Sequence, residues 1–550
     1  MIQTKWWKDA VAYQIYPMSF QDSNGDGIGD ILGIISRLDY LKNLGVDVVW
    51  ISPMYKSPGY DNGYDVSDYY AIDPVYGTMD DFKELLEQAH RRGLKIIMDL
   101  VVNHSSDENP WFLESKSSKT NPKSDWYIWR DAPNNWTDHF SGGSAWTYCP
   151  ERGQYYLHMF SHKQPDLNWE CDELRRVVYA MMRFWLEMGV DGFRMDVISC
   201  ISKPPGLPDG DMFSLCANGA RVHEFLREMR REALDDFDTM TVGETPCVTP
   251  DEAAFYAGLD GAELNMVFHF DINDINADDD YKWNMKKTSA RQIQQVHTRW
   301  QSALRGRAWN SLYLSNHDQP RPVSRYCDDG ELRERGVKAL AICTYFLEGT
   351  PFIYQGEELG MTSCDFTDVS ELRDIESLNV YDRLVKKHGV KGAMEIISAQ
   401  GRDGARTPMQ WDSTGNAGFT KGEPWIGVNP NYVTINADEQ ESREGSTLNF
   451  YRRLIKLRKS LLRDLQLGEY APIETAHDSL FCYRRGDILI AANLSGETVE
   501  CALPPMQALL HNMGNLEEHA DKNIQTPSQE SLQGYLKPYE AIVGCVAKES

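Results

Sequence analysis

The sequence predicts an α/β protein: a (β/α)8 TIM barrel with a subdomain inserted after the third strand and a small antiparallel β domain at its C-terminal end. Three observations carry this prediction. Short apolar runs alternate with longer amphipathic stretches through most of the chain. Residues 105–171 interrupt the alternation with a segment rich in Trp, Asn, Ser and Gly that has no long helical pattern. The final stretch changes to short runs of alternating polarity.

The runs AVAYQIYP (10–17), VDVVWISP (46–53) and LKIIMDLVVNH (94–104) read as strands buried on both faces, as parallel strands are. VDGFRMDVI (190–198), DTMTVGE (238–244), LNMVFHF (264–270), WNSLYLSNHD (309–318) and TPFIYQGEE (350–358) continue the series to eight. MDDFKELLEQAHRRG (79–93) and LRRVVYAMMRFWLEMG (174–189) carry apolar residues at helical spacing between them. A doubly wound open sheet shares this alternation, but eight repeats with polar residues at so many strand ends favour the barrel. A loop as long as 105–171 is functional or a small domain of its own. The helix STLNFYRRLIKLRKSL (446–461) closes the barrel, and SLFCYRR (479–485), DILIAANL (487–494) and AIVGCVA (541–547) form the β domain. The chain thus divides into 1–104 and 172–470 as the two parts of the barrel, 105–171 as the insert, and 471–550 as the C-terminal domain.

A net charge of −26 over 550 residues disfavours nucleic acid or an anionic membrane as partner, since both require a basic face. No apolar run reaches transmembrane length, and MIQTKWWKDAVAYQIYP lacks the apolar core of a signal peptide. The 11 cysteines show no C-x-x-C spacing, which fits free thiols in the cytoplasm and argues against a zinc site. The 15 Trp, 27 Tyr and 19 Phe suit sugar stacking, although a large core accounts for most of them.

In barrels of this kind the chemistry lies at the C-terminal ends of the strands. There the third strand carries Asn103 and His104, the fourth Arg194 and Asp196, the fifth Glu244, and the seventh His317 and Asp318. One acidic strand end is commonly a loop cap. Three carboxylates converging with two imidazoles and a guanidinium are harder to explain structurally, because like charges repel.

GFRMDV (192–197), VGET (242–245), SNHDQPR (315–321), DLVVNH (99–104) and QPDLN (164–168) resemble the conserved regions of the α-amylase family, glycoside hydrolase family 13. QPDLN, GFRMDVIS, KGEPWIGVNPNY (421–432) and GRDGARTPMQW (401–411) are similar to its oligo-1,6-glucosidase, dextran glucosidase and isomaltase branch. The resemblance implies a retaining, exo-acting α-glucosidase that hydrolyses α-1,6 bonds of isomaltose and short isomaltooligosaccharides from the non-reducing end. It implies Asp196 as nucleophile, Glu244 as general acid/base and Asp318 as the third carboxylate. It further implies sugar contacts from Asp61, Tyr64, His104, Phe160, Gln164, His317 and Arg402, with Arg406 close by, and Arg194 beside the nucleophile. Val197, directly after the nucleophile, matches the branch's α-1,6-specific members. Ser199-Cys200 and Thr245 depart from its closest pattern on the acceptor side.

DSNGDGIGD (22–30) places Asp22, Asn24, Asp26, the Ile28 carbonyl and Asp30 at positions 1, 3, 5, 7 and 9 of an EF-hand-like loop. Position 12 is Gly33, so the bidentate Glu is missing, and an Asp/Gly-rich turn is the plainer reading. The family resemblance implies one structural Ca²⁺ or Mg²⁺ here.

Three other specificities share the fold: trehalose-6-phosphate hydrolase, maltase and sucrose isomerase. A phosphorylated sugar calls for basic residues at the rim, and Lys119, Lys123 and Lys163 in the insert are the candidates. An isomerase calls for an aromatic or Arg-rich loop after the seventh strand, here PRPVSRYCDDG (320–330). A non-catalytic role, as in the transporter heavy chain with this fold, conflicts with the intact carboxylates and the missing membrane anchor.

Overall fold

A computed structural model describes residues 5–278, 281–513 and 532–546. The first four residues of the predicted barrel, and 514–531 and 547–550 of the predicted C-terminal domain, lie outside them. Eight parallel strands form the barrel: β1 (Ala12–Ile15), β2 (Val48–Ile51), β3 (Lys95–Leu100), β4 (Gly192–Met195), β5 (Met240–Glu244), β6 (Met266–Phe268), β7 (Ser311–Tyr313) and β8 (Thr350–Tyr354). Their order is β6-β5-β4-β3-β2-β1-β8-β7. At the remaining seam, between β6 and β7, side chains do the stitching. Ser311 Oγ donates to Val267 O at 2.6 Å, and the Tyr313 hydroxyl donates to His269 O.

Nearly every strand residue is buried, as expected of a sheet covered on both faces. Trp50 of β2, Phe268 of β6 and Phe352 of β8 meet on the axis, with ring centroids 4.7–6.5 Å apart, and Arg194 of β4 lies over Trp50. Alternate strands filling the axis make it a packed core rather than a pore. The expected helices form at Met79–Arg91, Asp172–Met188 and Thr447–Ser460. The first starts on a Thr78/Asp81 capping box, which satisfies orphan N–H groups at its end.

The strands are shorter than the apolar runs suggest, most clearly β3 and β7. β3 stops at Leu100 because the next residues pair with the insert: Leu167 N donates to Asn103 O at 2.9 Å, and Ser105 N to Pro165 O at 3.1 Å. β7 stops at Tyr313, and the chain leaves the ladder four residues before Asp318. Polar residues thus sit just past the strands, where loops can aim them.

The insert holds a helix, Pro110–Ser117, and a three-stranded antiparallel sheet in the order Trp129–Arg130, Gln154–Leu157, Trp146–Cys149. The C-terminal domain is a small sandwich. Its five-stranded sheet includes Leu480–Arg485, Ile488–Asn493 and Ala541–Val546, and it faces the pair Val499–Leu503 and Leu532–Leu536. Leu480, Cys482, Leu489 and Ala491 pack against Val499, Cys501 and Leu536 between the layers. All 11 cysteines are free thiols. Among the described residues, no helix is long and apolar enough to cross a membrane.

A helix absent from the predicted elements, Ile375–Gln400, breaks at Gly389 (φ +72°) and supplies one wall of the site below. Its start was legible: Asp374 caps it, accepting from Glu376 N and Ser377 N.

Candidate active site

A cavity of about 710 Å³ opens at the C-terminal ends of the barrel strands. Asp61, Tyr64, His104, Phe160, Gln164, Asp196, Val197, Glu244, Asp318 and Arg402 all line it. Arg194 and His317 lie just behind this lining, in contact with the carboxylates.

Asp196 follows the last residue of β4, and Arg194 sits two positions earlier on the same face, as strand alternation requires. Arg194 is completely buried and serves three carboxylates. Its Nη1 lies 2.7 Å from Asp196 Oδ1 and 2.9 Å from Asp99 Oδ1, and its Nη2 lies 2.7 Å from Glu244 Oε2. Glu244 also accepts from Val197 N at 2.9 Å. Asp99 is held in turn by the Tyr64 hydroxyl at 2.9 Å and Trp50 Nε1 at 3.2 Å. Burial raises Glu244 to about 8, against the pull of Arg194. Burial likewise raises Asp196 to about 7 and Asp99 to about 6, Arg194 again opposing.

Asp318 faces the opposite balance. Arg406 Nη2 donates to its Oδ1 at 2.7 Å, Arg402 Nη1 at 3.2 Å, and His317 Nε2 stands 3.1 Å from its Oδ2. Burial would raise its pKa, but His317, Arg402 and Arg406 outweigh it and hold Asp318 well below the usual carboxylate range. The His317 ring is stacked on Tyr64 at 5.2 Å and on Tyr16 at 5.7 Å, and its Nδ1 meets Gln14 Nε2 at 2.8 Å. Burial lowers His317 to about 3 and His104 to about 4, so both are neutral imidazoles at pH 7.

One end of the cavity is shut. Arg402 Nη2 lies 3.2 Å from Asp61 Oδ1, Gln164 Nε2 donates to Asp61 Oδ2 at 3.1 Å, and the Phe140 ring lies 4.9 Å from the Arg402 guanidinium carbon. Burial raises Asp61 to about 6, with Arg402 opposing. Arg402 lines the cavity while Arg406 lies beneath it, bonded to His317 O and Asp318, which separates the two arginines of this stretch. The other end is open and more aromatic, with Phe213, Tyr281 and Trp283 beside Cys247, Asn379 and Arg383. Lys282 and Glu376 form a buried pair there at 2.7 Å. Phe140, Lys282 and Glu376 were not singled out from the sequence: Lys282 and Glu376 stand 94 residues apart, with no motif linking them.

Val197 has φ +33° and ψ +40°, a left-handed conformation unusual for a β-branched residue. That turn breaks strand alternation at the end of β4. It aims the Val197 N–H at Glu244 and lays the side chain on the cavity wall, packed with the cluster of Phe140 and Phe160. Strain of this kind, costing about 1–3 kcal/mol, is characteristic of functional sites. Ser199, Cys200 and Thr245 are fully buried and absent from the lining, and the Thr245 hydroxyl is bonded to Phe268 O.

In the loop at 22–30, Asn24 N donates to Asp22 Oδ1, Asp26 N to Asn24 Oδ1 and Ile28 N to Asp26 Oδ1. Asp30 caps the helix Ile31–Ser36 through Gly33 N. Gly27 has φ +91°, and a Cβ on it would strike the Glu423 carbonyl oxygen. Among the described residues, no three His, Cys, Asp or Glu side chains are grouped as a metal centre.

Residues 14–465 match the family model described as "Alpha amylase, catalytic domain". The chain is 51% identical over 560 residues to the oligo-1,6-glucosidase of Parageobacillus thermoglucosidasius, covering 98% of each chain. It is 47% identical over 567 residues to that of Bacillus cereus, covering 98% of this chain and 99% of the other. The structure of trehalose-6-phosphate hydrolase from Bacillus licheniformis superposes with a TM-score of 0.93 at 45% identity, over 99% of this chain and 100% of that one. A barrel of this topology and a match of this extent make the chain a glycoside hydrolase of the α-amylase family, glycoside hydrolase family 13.

Proposed function

We propose that this enzyme is a retaining, exo-acting α-glucosidase that hydrolyses α-1,6-glucosidic bonds of isomaltose and short isomaltooligosaccharides from the non-reducing end. The observation that carries the reading is the shut end of the cavity at Asp61, Gln164, Phe140 and Arg402. A cavity closed behind one sugar takes a chain terminus, not the middle of a polymer.

In this reading Asp196 attacks the anomeric carbon while Glu244 gives its proton to the glycosidic oxygen. Glu244, then ionised, takes a proton from the water that cleaves the glycosyl–Asp196 ester. Arg194 keeps the two carboxylates close, as retention requires, and the higher pKa of Glu244 suits the acid. Asp318, ionised, meets the positive charge that develops on the sugar. Tyr64 and His104 flank this glucose, and Phe160 and Gln164 reach it from the insert.

The linkage is supported by the identity to the oligo-1,6-glucosidases and by Val197 on the wall. A phosphorylated substrate is less well supported. Lys119, Lys123 and Lys163 pair with Asp131, Glu114 and Asp107, and none lines the cavity; of the basic residues that do line its open end, Lys282 and Arg383, Lys282 is paired with Glu376. The isomerase reading fares no better, because Arg321 is buried and Arg325 is bonded to Gln319 and Asn273. Product analysis with isomaltose, maltose, trehalose 6-phosphate and sucrose tests all four readings. Glucose released fastest from isomaltose is the expected result, and faster cleavage of any other overturns it.

The loop at 22–30 is proposed to hold one structural Ca²⁺ or Mg²⁺. The reading is supported by the EF-hand-like spacing of Asp22, Asn24, Asp26, the Ile28 carbonyl and Asp30, and by the successive turns in which Asp22, Asn24 and Asp26 each accept from the backbone two residues on. Cytoplasmic residence is also proposed, supported by the 11 free thiols.

A further inference from the structure

Asp374 lies directly behind Arg402 and outside the cavity lining, completely buried. Its Oδ1 takes the guanidinium side-on, 2.7 Å from Nε and 2.6 Å from Nη2. The same guanidinium stands 3.2 Å from Asp61, 3.2 Å from Asp318 and 3.6 Å from Glu376, carboxylates that do face the cavity. The tightest contact of Arg402 is therefore with the one aspartate of the three that is out of reach of substrate.

The anchor is itself fixed. Asp403 Oδ2 accepts from Arg373 N at 2.8 Å and Asp374 N at 3.0 Å. The stretch 402–403 thus grips 373–374 by a guanidinium on a carboxylate and a carboxylate on two N–H groups. Asp374 Oδ2 accepts from Ser377 N and Ser377 Oγ, which sets the start of the helix bearing Glu376, Asn379 and Arg383.

We infer that Asp374 is a positioning residue: it fixes the Arg402 guanidinium midway between Asp61 and Asp318, 3.2 Å from each, so that neither carboxylate captures it and both keep oxygens for sugar hydroxyls. The inference rests on the reading that the Arg402 end of the cavity takes the terminal glucose. Without the anchor, Arg402 moves onto one of its two cavity partners and tightens that pair, and the substrate must break it to bind. Asp196 and Glu244, held by Arg194 across the cavity, are not displaced by that movement.

The test is Asp374→Asn, with Asp374→Ser as a second variant, because Asn and Ser both cap helices well and preserve the helix start. With isomaltose, KM should rise roughly tenfold or more while kcat changes far less, and inhibition by free glucose should weaken in parallel. In an Arg402→Ala background, Asp374→Asn should have no further effect on KM, since the residue through which it acts is gone. An unchanged KM in both variants overturns the inference, as does an equal and additive effect in the Arg402→Ala background. Wild-type KM in Arg402→Ala alone overturns instead the assignment of this end to glucose, and that result involves no change at Asp374.

Discussion

The two sides of the cavity handle carboxylates in opposite ways. On the β4–β5 side one guanidinium, Arg194, serves Asp99, Asp196 and Glu244. On the β7 side Asp318 is met by two guanidiniums, Arg406 and an Arg402 shared with Asp61 and Asp374, and by the edge of His317. Both sides are buried, so desolvation pushes every carboxylate toward its neutral form, and the number of cations that reach each one decides the outcome. Where one guanidinium is divided among three carboxylates, a proton is retained and can be transferred. Where two guanidiniums reach one carboxylate, it stays charged and can meet a developing cation. A single barrel mouth thus holds both an acid and a permanent anion at neutral pH.

The largest effects should come from breaking each side at its centre. Asp196→Ala, Glu244→Gln and Asp318→Asn should each lower kcat by about 10³–10⁶-fold with little loss of folded protein, since each group acts mainly in the transition state. The sides should differ on a nitrophenyl glucoside, whose leaving group needs no proton. There Glu244→Gln should recover much of the rate of the glycosylation step, measured as a burst, and Asp318→Asn should not. Substantial activity in Asp196→Ala on any substrate would contradict the assignment.

A pH profile sharpens the comparison next. Asp196 must be ionised to attack, so activity is gained as pH rises through its pKa, raised by burial to about 7. Glu244 must be protonated to donate, so activity is lost as pH rises through its pKa, raised by burial to about 8. The two limbs should make kcat/KM a narrow bell, each falling about tenfold per pH unit, with apparent values that belong to the coupled pair. Asp318 should add no limb above pH 4, because its cations keep it ionised. Removing the alkaline limb with Glu244→Gln on the nitrophenyl glucoside checks which residue owns it.

Much of this arrangement could be read along the chain, but unevenly. Arg194, Asp196, Glu244 and Asp318 each sit at or just beyond a strand end, so a periodic pattern and the barrel rule suffice to bring them together. What could not be read are the long-range pairings that hold the side chains around them in place. Arg402 meets Asp61 across 341 residues and Asp374 across 28, and Lys282 meets Glu376 across 94. No local period links such pairs, because the barrel closure and the loops decide them. Strand ends were overrun for a related reason: apolar runs continue past β3 into a segment whose backbone pairs with the insert.

A smaller effect should follow from changing the wall rather than the charges. Val197 is held at positive φ with its side chain on the cavity surface, so alternation no longer turns it away from the sugar. Its branched Cβ is stiff and cannot yield to an acceptor held close by an α-1,4 bond, whereas an α-1,6 bond has an extra rotor to swing past it. Val197→Ala should therefore raise kcat/KM for maltose relative to isomaltose by roughly 10-fold, within the ~10–200-fold that one or two methyl groups supply. Val197→Thr, still branched, should shift the ratio less. An unchanged ratio in both variants would move selectivity to the Lys282–Glu376 side of the mouth.

The smallest effect concerns a third way of holding carboxylates, with neither guanidinium nor a catalytic task. In the loop at 22–30 they are held by backbone N–H groups. Asp22 is buried and accepts from the backbone of Asn24, Gly25 and Gly27 and from the Thr420 hydroxyl. Burial alone would raise its pKa, but those hydrogen bonds lower it. Asp22→Ala would thus weaken the fold with or without metal, and says little about a bound ion. Asp26 is the sharper probe, being exposed and accepting from Ile28 N. If a divalent cation binds the folded loop alone, chelator should lower the melting temperature of the wild type by a few degrees, since saturation at about 100 Kd contributes ~2.7 kcal/mol. Asp26→Ala should melt near the chelated wild type and respond little to chelator itself. Activity per folded molecule should stay within about twofold throughout, because the loop lies outside the cavity lining. A wild-type melting curve unmoved by chelator would leave the loop as an Asp/Gly-rich turn held by its own backbone.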